Sequence, residues 1–207
     1  MKEIIKHVAL ATIVLVTLLL LLGKIVNADN ENRPEEAQIA AVEYAGSGCK
    51  NDAVTANISE DFGTLQINFP SFSAQLGPGF SKGDHRKFCQ VVLDIRHSEG
   101  WQYSLSNVDF ILSSKLDRDI NAEVGGLFYF QGDEAEELKH LFSGPVEFTL
   151  HAKVPLQTNW SSCEKTRALN IKGIVKVGLK DPENNEGRGE LTLIGPTTFG
   201  IEWRRCE

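Results

Sequence analysis

From Val42 onward the apolar residues of this chain recur at every second position, and that period decides what the chain can become. Val54, Ala56 and Ile58 alternate with polar neighbours, and so do Leu65, Ile67 and Phe69. Val91, Leu93 and Ile95 share a face, with Asp94 and Arg96 opposite. Phe148 to Val154, Leu169 to Leu179 and Leu191 to Trp203 continue the pattern. A period of two sends one side of each segment into a core and the other into water, as in half-buried antiparallel strands. Trp101, Tyr103 and Leu105 are odd-numbered, whereas Val108, Phe110 and Leu112 are even-numbered. That switch needs one extra residue near Ser106-Asn107, as a β-bulge or a tight turn. Breaks are expected at Gly77-Pro78-Gly79, Gly144-Pro145, Asp181-Pro182-Glu183-Asn184-Asn185 and Gly195-Pro196. About nine strands with one apolar face each predict an all-β, antiparallel two-sheet sandwich. Asp133 to Leu138 is the exception: Asp133 as cap with Glu136 three residues on reads equally as a short surface helix or a strand. The expected fold therefore has at most one short helix.

The N-terminus sets the compartment. Lys2 and Lys6 precede an uncharged run from Val8 to Leu22, which gives way to Val26-Asn27-Ala28. A charged start, an apolar stretch and a small-residue end together predict a secretory signal over residues 1–28. The rival reading, a retained anchor, needs roughly 20 apolar residues and would have to take in Lys24. Either way the chain leaves the cytoplasm. Residues 29–41 are polar and acidic with some alanine and are expected to form a flexible leader, and residues 42–207 a single sandwich domain. Without residues 1–28, three of 21 basic and one of 28 acidic residues go, leaving 18 and 27 and a net charge of −9. That balance argues against nucleic acid and against anionic lipid as partners, so no membrane role is expected after cleavage. A glycan or an extracellular protein remains as partner.

In an oxidising compartment Cys49, Cys89, Cys163 and Cys206 read as crosslinks. None forms a CxxC, so neither a redox motif nor a zinc knuckle is supported. Four cysteines allow three connectivities. Sequential pairing, Cys49–Cys89 and Cys163–Cys206, is preferred because crosslinks between neighbouring strands are the simplest geometry, although spacing alone leaves the others open.

Several motifs stand in one order along residues 42–207: Gly46-Ser47-Gly48-Cys49, Phe69-x-x-Phe72, Leu76-Gly77-Pro78-Gly79, Arg86-Lys87-x-Cys89-Gln90, Gly100-Trp101-Gln102-Tyr103, Tyr129-Phe130-Gln131-Gly132, Ser143-Gly144-Pro145-Val146, Trp160-Ser161-x-Cys163, Leu169-Asn170-Ile171 and Trp203-Arg204-Arg205-Cys206. Together they resemble the secreted four-cysteine family called domain of unknown function 4360. The resemblance implies a secreted, disulfide-bonded, β-rich single domain and supplies no activity. The chain departs from the family pattern at Val108-Asp109-Phe110-Ile111-Leu112, where a Tyr-Arg-Gly-like turn is common, and at Cys49-Lys50, where Cys-Pro is common.

Four candidate constellations follow from the residues. Gly79-Phe80-Ser81-Lys82-Gly83 fits the G-x-S-x-G pattern, but it follows a Gly-Pro loop rather than a strand leading into a helix, so no catalytic residue is assigned. Asp117, Asp119, Asn121 and Glu123 put oxygen ligands at alternate positions, a weak calcium candidate that is not an EF-hand loop. No cofactor is otherwise expected, and His85, His97, His140 and His151 are too scattered for zinc or general-base work. Trp160 and Trp203 each precede a cysteine by three residues. If both cysteines point inward, both rings point outward as a platform for sugar rings or a partner. Otherwise a turn intervenes and each ring packs on its disulfide. Trp101 with Tyr103 is a further possible aromatic pair. Asn57-Ile58-Ser59 and Asn159-Trp160-Ser161 are glycosylation sequons. The expectation is a secreted, non-catalytic binding or extracellular structural module. The alternatives are a secreted hydrolase built on Ser81, or an effector or inhibitor acting on another protein.

Overall fold

The computed structural model describes residues 32–49, 54–69, 72–164, 166–181 and 187–207. The expected signal segment and residues 182–185 of the expected acidic break lie outside them. Among the described residues there are eleven strands and no helix: β1 (Ala37–Ala45), β2 (Thr55–Ile58), β3 (Thr64–Asn68), β4 (Phe72–Leu76), β5 (Arg86–His97), β6 (Trp101–Leu116), β7 (Ile120–Phe130), β8 (Glu136–Ser143), β9 (Val146–Pro155), β10 (Leu169–Leu179) and β11 (Gly189–Arg205). They form two antiparallel sheets, one of order β1-β5-β10-β7-β8 and one of order β2-β3-β11-β6-β9, with β4 also on β11. The sheets meet through their apolar faces. Tyr103 of β6 packs edge-on against Phe130 of β7, and Phe128 against Phe199 of β11.

The parity switch in β6 is a bulge. Asn107 pairs with Gly200 and Leu105 with Ile201, so Ser106 is the unpaired extra residue. Gly195-Pro196 does not end a strand. It sits within β11 at a second irregularity, where Gly195 takes a φ of 69°. There β11 passes from pairing with β4 to pairing with β3, so the break in the sequence is a change of partner.

One expectation is corrected and one open alternative is decided. The leader does not extend to residue 41: β1 begins at Ala37 and pairs with β5 from Ala37↔His97 to Ala45↔Gln90. Ile39 and Val42 face the core across a bulge between Ile39 and Ala41, and that bulge hid the period. Residues 133–138 do not form a helix. Asp133 N–H donates to the Phe130 carbonyl at 2.9 Å, and Gly132 has a φ of 95°. This is a glycine-dependent reverse turn, and it delivers β8 back onto β7 with Leu138 and Phe142 turned inward.

The bridges are Cys49–Cys89 and Cys163–Cys206, the sequential pairing. Gly46-Ser47-Gly48 makes the first one reachable. A Cβ on Gly46 would lie 2.2 Å from the Phe88 carbonyl oxygen, and one on Gly48 would lie 2.3 Å from the Phe72 ring. Only glycine lets that turn lie flat on β5 and the inner face.

Candidate functional site

The tryptophans end up on different sides of the six-stranded sheet. Trp203 follows Phe199 and Ile201 on the inward face, beside the rings of His97 and Tyr103. Its indole N–H donates to the Phe62 carbonyl at 2.7 Å. Phe62 takes a φ of 57°, uncommon for a residue with a Cβ, and so presents that oxygen. Arg204, next along the strand, points the other way and stacks on Trp160 at 4.1 Å. A joint Trp160–Trp203 platform is therefore not formed, because alternation along β11 separates the two rings. Trp101 and Tyr103 are 3% and 2% exposed, so they offer no outer surface either.

The oxygen ligands of the calcium candidate are spread over separate tasks. Asp117 Oδ2 accepts the Arg188 N–H at 2.7 Å, Asn121 Oδ1 accepts the Ser143 hydroxyl at 2.7 Å, and Glu123 pairs with Lys139 at 3.4 Å. Asp117 and Asp119 lie in the turn before β7, with Asn121 and Glu123 along its outer side. Among the described residues no three His, Cys, Asp or Glu side chains gather as a metal site.

Ser81 lies in a turn and donates its hydroxyl to Asp84 at 2.7 Å. Lys87, then the Ser81 hydroxyl and N–H, hold the Asp84 carboxyl well below its usual range. A carboxylate kept charged in this way accepts the hydroxyl's hydrogen bond and an ion pair from Lys87. His151 meets Asp109 at 2.5 Å on the outer face of the other sheet, and His140 packs on Phe142. Of the two sequon asparagines, Asn57 is exposed on β2, while Asn159 reaches Asp133 at 3.4 Å.

The polar chemistry that converges is on the outer face of the five-stranded sheet. Register sets one row across four strands: Glu43 of β1, Val92 of β5, Asn170 of β10 and Tyr129 of β7. Gln90, one outward position along β5, donates its amide to Asn170 Oδ1 at 2.9 Å and to the Tyr129 hydroxyl oxygen at 3.2 Å. Asn170 is only 9% exposed and passes its own amide proton to the Ala168 carbonyl. Both Gln90 amide protons are thus spent, which leaves the Gln90 carbonyl and the Tyr129 O–H, on half-buried side chains, without a hydrogen-bond partner among the described residues. Asp94 lies in the next row. Its Oδ2 is 3.4 Å from the Arg96 guanidinium, while its Oδ1 is buried and accepts no hydrogen bond from the protein. Glu43, Val92, Asp94, Tyr129 and Asn170, with Gln131, line an open cleft of about 620 Å³, and Gln90 bonds Tyr129 and Asn170 from the neighbouring row. A second, apolar space of about 50 Å³ is lined by core residues that include Phe69, Phe72, Phe128 and Phe199.

Sequence reading did not single out this cleft. Gln90, Tyr129 and Asn170 are each an ordinary polar residue on the wet side of a strand. A signal was present in kind, since amides and a phenol on outward positions of central strands have neighbours to bond. Their meeting depends on the β5-β10-β7 order, which local patterning does not carry.

The model of a family described as a domain of unknown function, DUF4360, matches residues 35–206. An uncharacterized secreted protein of Arthroderma benhamiae is 28% identical over 186 residues, covering 86% of this chain and 75% of that protein. Among solved structures, TmCBM61 in complex with beta-1,4-galactotriose matches at 10% identity with a TM-score of 0.29, covering 81% of this chain and 90% of that one. A likeness that weak carries no argument. The family match spans every strand from β1 to β11 and both disulfides, and this chain belongs to the DUF4360 family.

Proposed function

We propose that this protein is exported and binds carbohydrate, without catalysis, on the outer face of its five-stranded sheet. Two disulfides suit an oxidising compartment, and a relative named as secreted supports export. The single observation that carries the binding reading is the Gln90–Asn170–Tyr129 network beside the unpartnered Asp94 Oδ1. That Oδ1 is itself buried, so a ligand hydroxyl meets the Asp94 carboxylate through the more accessible Oδ2, which the Arg96 guanidinium faces at 3.4 Å. The cleft offers acceptors (the Asp94 and Glu43 carboxylates), a donor (the Tyr129 hydroxyl) and one aromatic ring. Closely spaced hydroxyls on a ring with an apolar face match that set, and apolar ligands do not.

The test is a polysaccharide and oligosaccharide array followed by calorimetry. The wild type is expected to retain a glycan. Tyr129→Ala and Asp94→Ala should lose it at least tenfold, and Trp160→Ala should keep it. No glycan retained by the wild type, or full retention by Tyr129→Ala, removes the reading.

A further inference from the structure

The same sheet face has a second half of opposite character. Two outward positions beyond Gln90 on β5 lies Arg86, with Phe88 between them. On β10, Lys172 pairs with Gln90, Ile174 with Phe88, and Lys176 with Arg86. Lys172 Nζ stands 5.0 Å from the Phe88 ring centre and the Arg86 guanidinium 5.6 Å, so both cations flank one ring. None of Arg86, Lys172 and Lys176 pairs with a carboxylate among the described residues. Glu123, the neighbour of Lys176 on β7, is engaged by Lys139, and Glu137 lies two strands from Lys172.

A chain with a formal charge of −7 therefore keeps three cations, without carboxylate partners among the described residues, on one sheet face. The strip runs straight into the cleft: from Asp94 to Arg86 is eight residues of one strand, about 27 Å at strand rise. An extended ligand that lies along β5 meets hydroxyl-binding groups at one end and cations at the other.

We propose that the ligand is an acidic polysaccharide, a chain of uronic acids or one that contains them. Its carboxylates lie over Arg86, Lys172 and Lys176, and its hydroxyls lie over Tyr129 and Asp94. This inference rests on the carbohydrate reading above and names the class of sugar. Glu43 and Asp94 set the direction, because they repel an acidic group at their end of the face and the lysines attract it at the other. An anionic membrane is disfavoured as occupant. A bilayer would bring its whole charged plane against the acidic remainder of the molecule, whereas a single chain touches the strip alone.

The test is calorimetry on linear polyuronates of mannuronate, guluronate, galacturonate and glucuronate, each beside its carboxyl-reduced counterpart. At least one acid form should bind at least tenfold tighter than its reduced form at low ionic strength. The gap should narrow as salt is added. Arg86→Gln with Lys176→Gln, checked for an unchanged melting temperature, should close it. Acid and reduced forms that bind alike, or a double variant that keeps the gap, overturn the acidic-sugar inference and leave the carbohydrate reading standing. If no member of any pair binds, both fall. Binding to phosphatidylserine vesicles in place of every polyuronate overturns the inference in favour of a lipid surface.

Discussion

The tryptophan end of the six-stranded sheet and the outer face of the five-stranded sheet use similar residues to opposite ends. At the first, each ring has a protein partner: Trp203 gives its N–H to Phe62, Trp160 lies under Arg204, and Trp101 lies under Arg205 at 4.1 Å. The Ser161 hydroxyl, Ser104 and Thr158 are spent on β6 in the same way. At the second, Asp94 Oδ1 has no donor, Gln90 offers its carbonyl, and three cations lack carboxylates. Large aromatics attract attention in a sequence, yet a satisfied aromatic is structure. The face proposed to bind glycan differs in the polar groups that it leaves uncommitted along one outer strand row.

The comparison breaks most readily at the covalent staples. Cys163–Cys206 joins the segment beside Trp160 to the strand end that carries Trp203, with a separation of 43 residues. Replacing both cysteines by serine should cost about 4 kcal/mol by loop-closure entropy, read as a lower denaturation midpoint. Glycan affinity measured well below that midpoint should not change, since the cleft is on the other sheet. A loss of affinity in proportion to the lost stability would join the two regions that the structure separates.

Trp203→Ala comes next. The ring is partly buried against His97 and Tyr103, and its removal leaves the Phe62 carbonyl without its donor. A cost of about 3 kcal/mol is expected from cavity and hydrogen bond together. Tyr129→Phe is the counterpart across the molecule. It removes one half-buried hydroxyl and the 3.2 Å bond that it accepts from Gln90, so stability should fall by about 1 kcal/mol at most while glycan affinity falls severalfold. Thermal melts and calorimetry on the two variants should therefore cross: one loses stability and the other affinity.

How much of this was legible follows from the range of each signal. The period of two, the bulge at Ser106 and the sequential disulfides are local or nearly local, and the structure has them. β1 escapes the pattern because a bulge between Ile39 and Ala41 breaks its alternation and four of its nine residues are alanine. The strand at Glu136–Ser143 competed with a sound capping pattern, and the turn at Gly132 decided it. The cleft was invisible for a different reason. Gln90, Tyr129 and Asn170 stand on three strands brought side by side by an order that no single segment encodes.

Tyr103 supplies the smallest effect and ties the two regions together. It packs between Trp203 and Phe130, 2% exposed, and its hydroxyl has no hydrogen-bond partner. Burial, and then the charge of Asp94 from the other sheet, pushes its pKa up from the ordinary tyrosine value. Below about pH 10 the phenol is neutral in both folded and unfolded chains, so it contributes no pH dependence. Above that, the unfolded chain releases the proton and the folded one keeps it. The folded state then binds more protons, and stability falls as pH rises, by up to about 1.4 kcal/mol per pH unit. Tyr103→Phe removes that slope and the unpartnered hydroxyl together. At neutral pH the variant should equal the wild type or exceed it by less than about 1 kcal/mol. Between about pH 10 and 11 it should unfold at the higher temperature. Parallel melting curves for the two proteins across that window would mean that the phenol ionises in the folded state, and that the inner side of the tryptophan end is open to water.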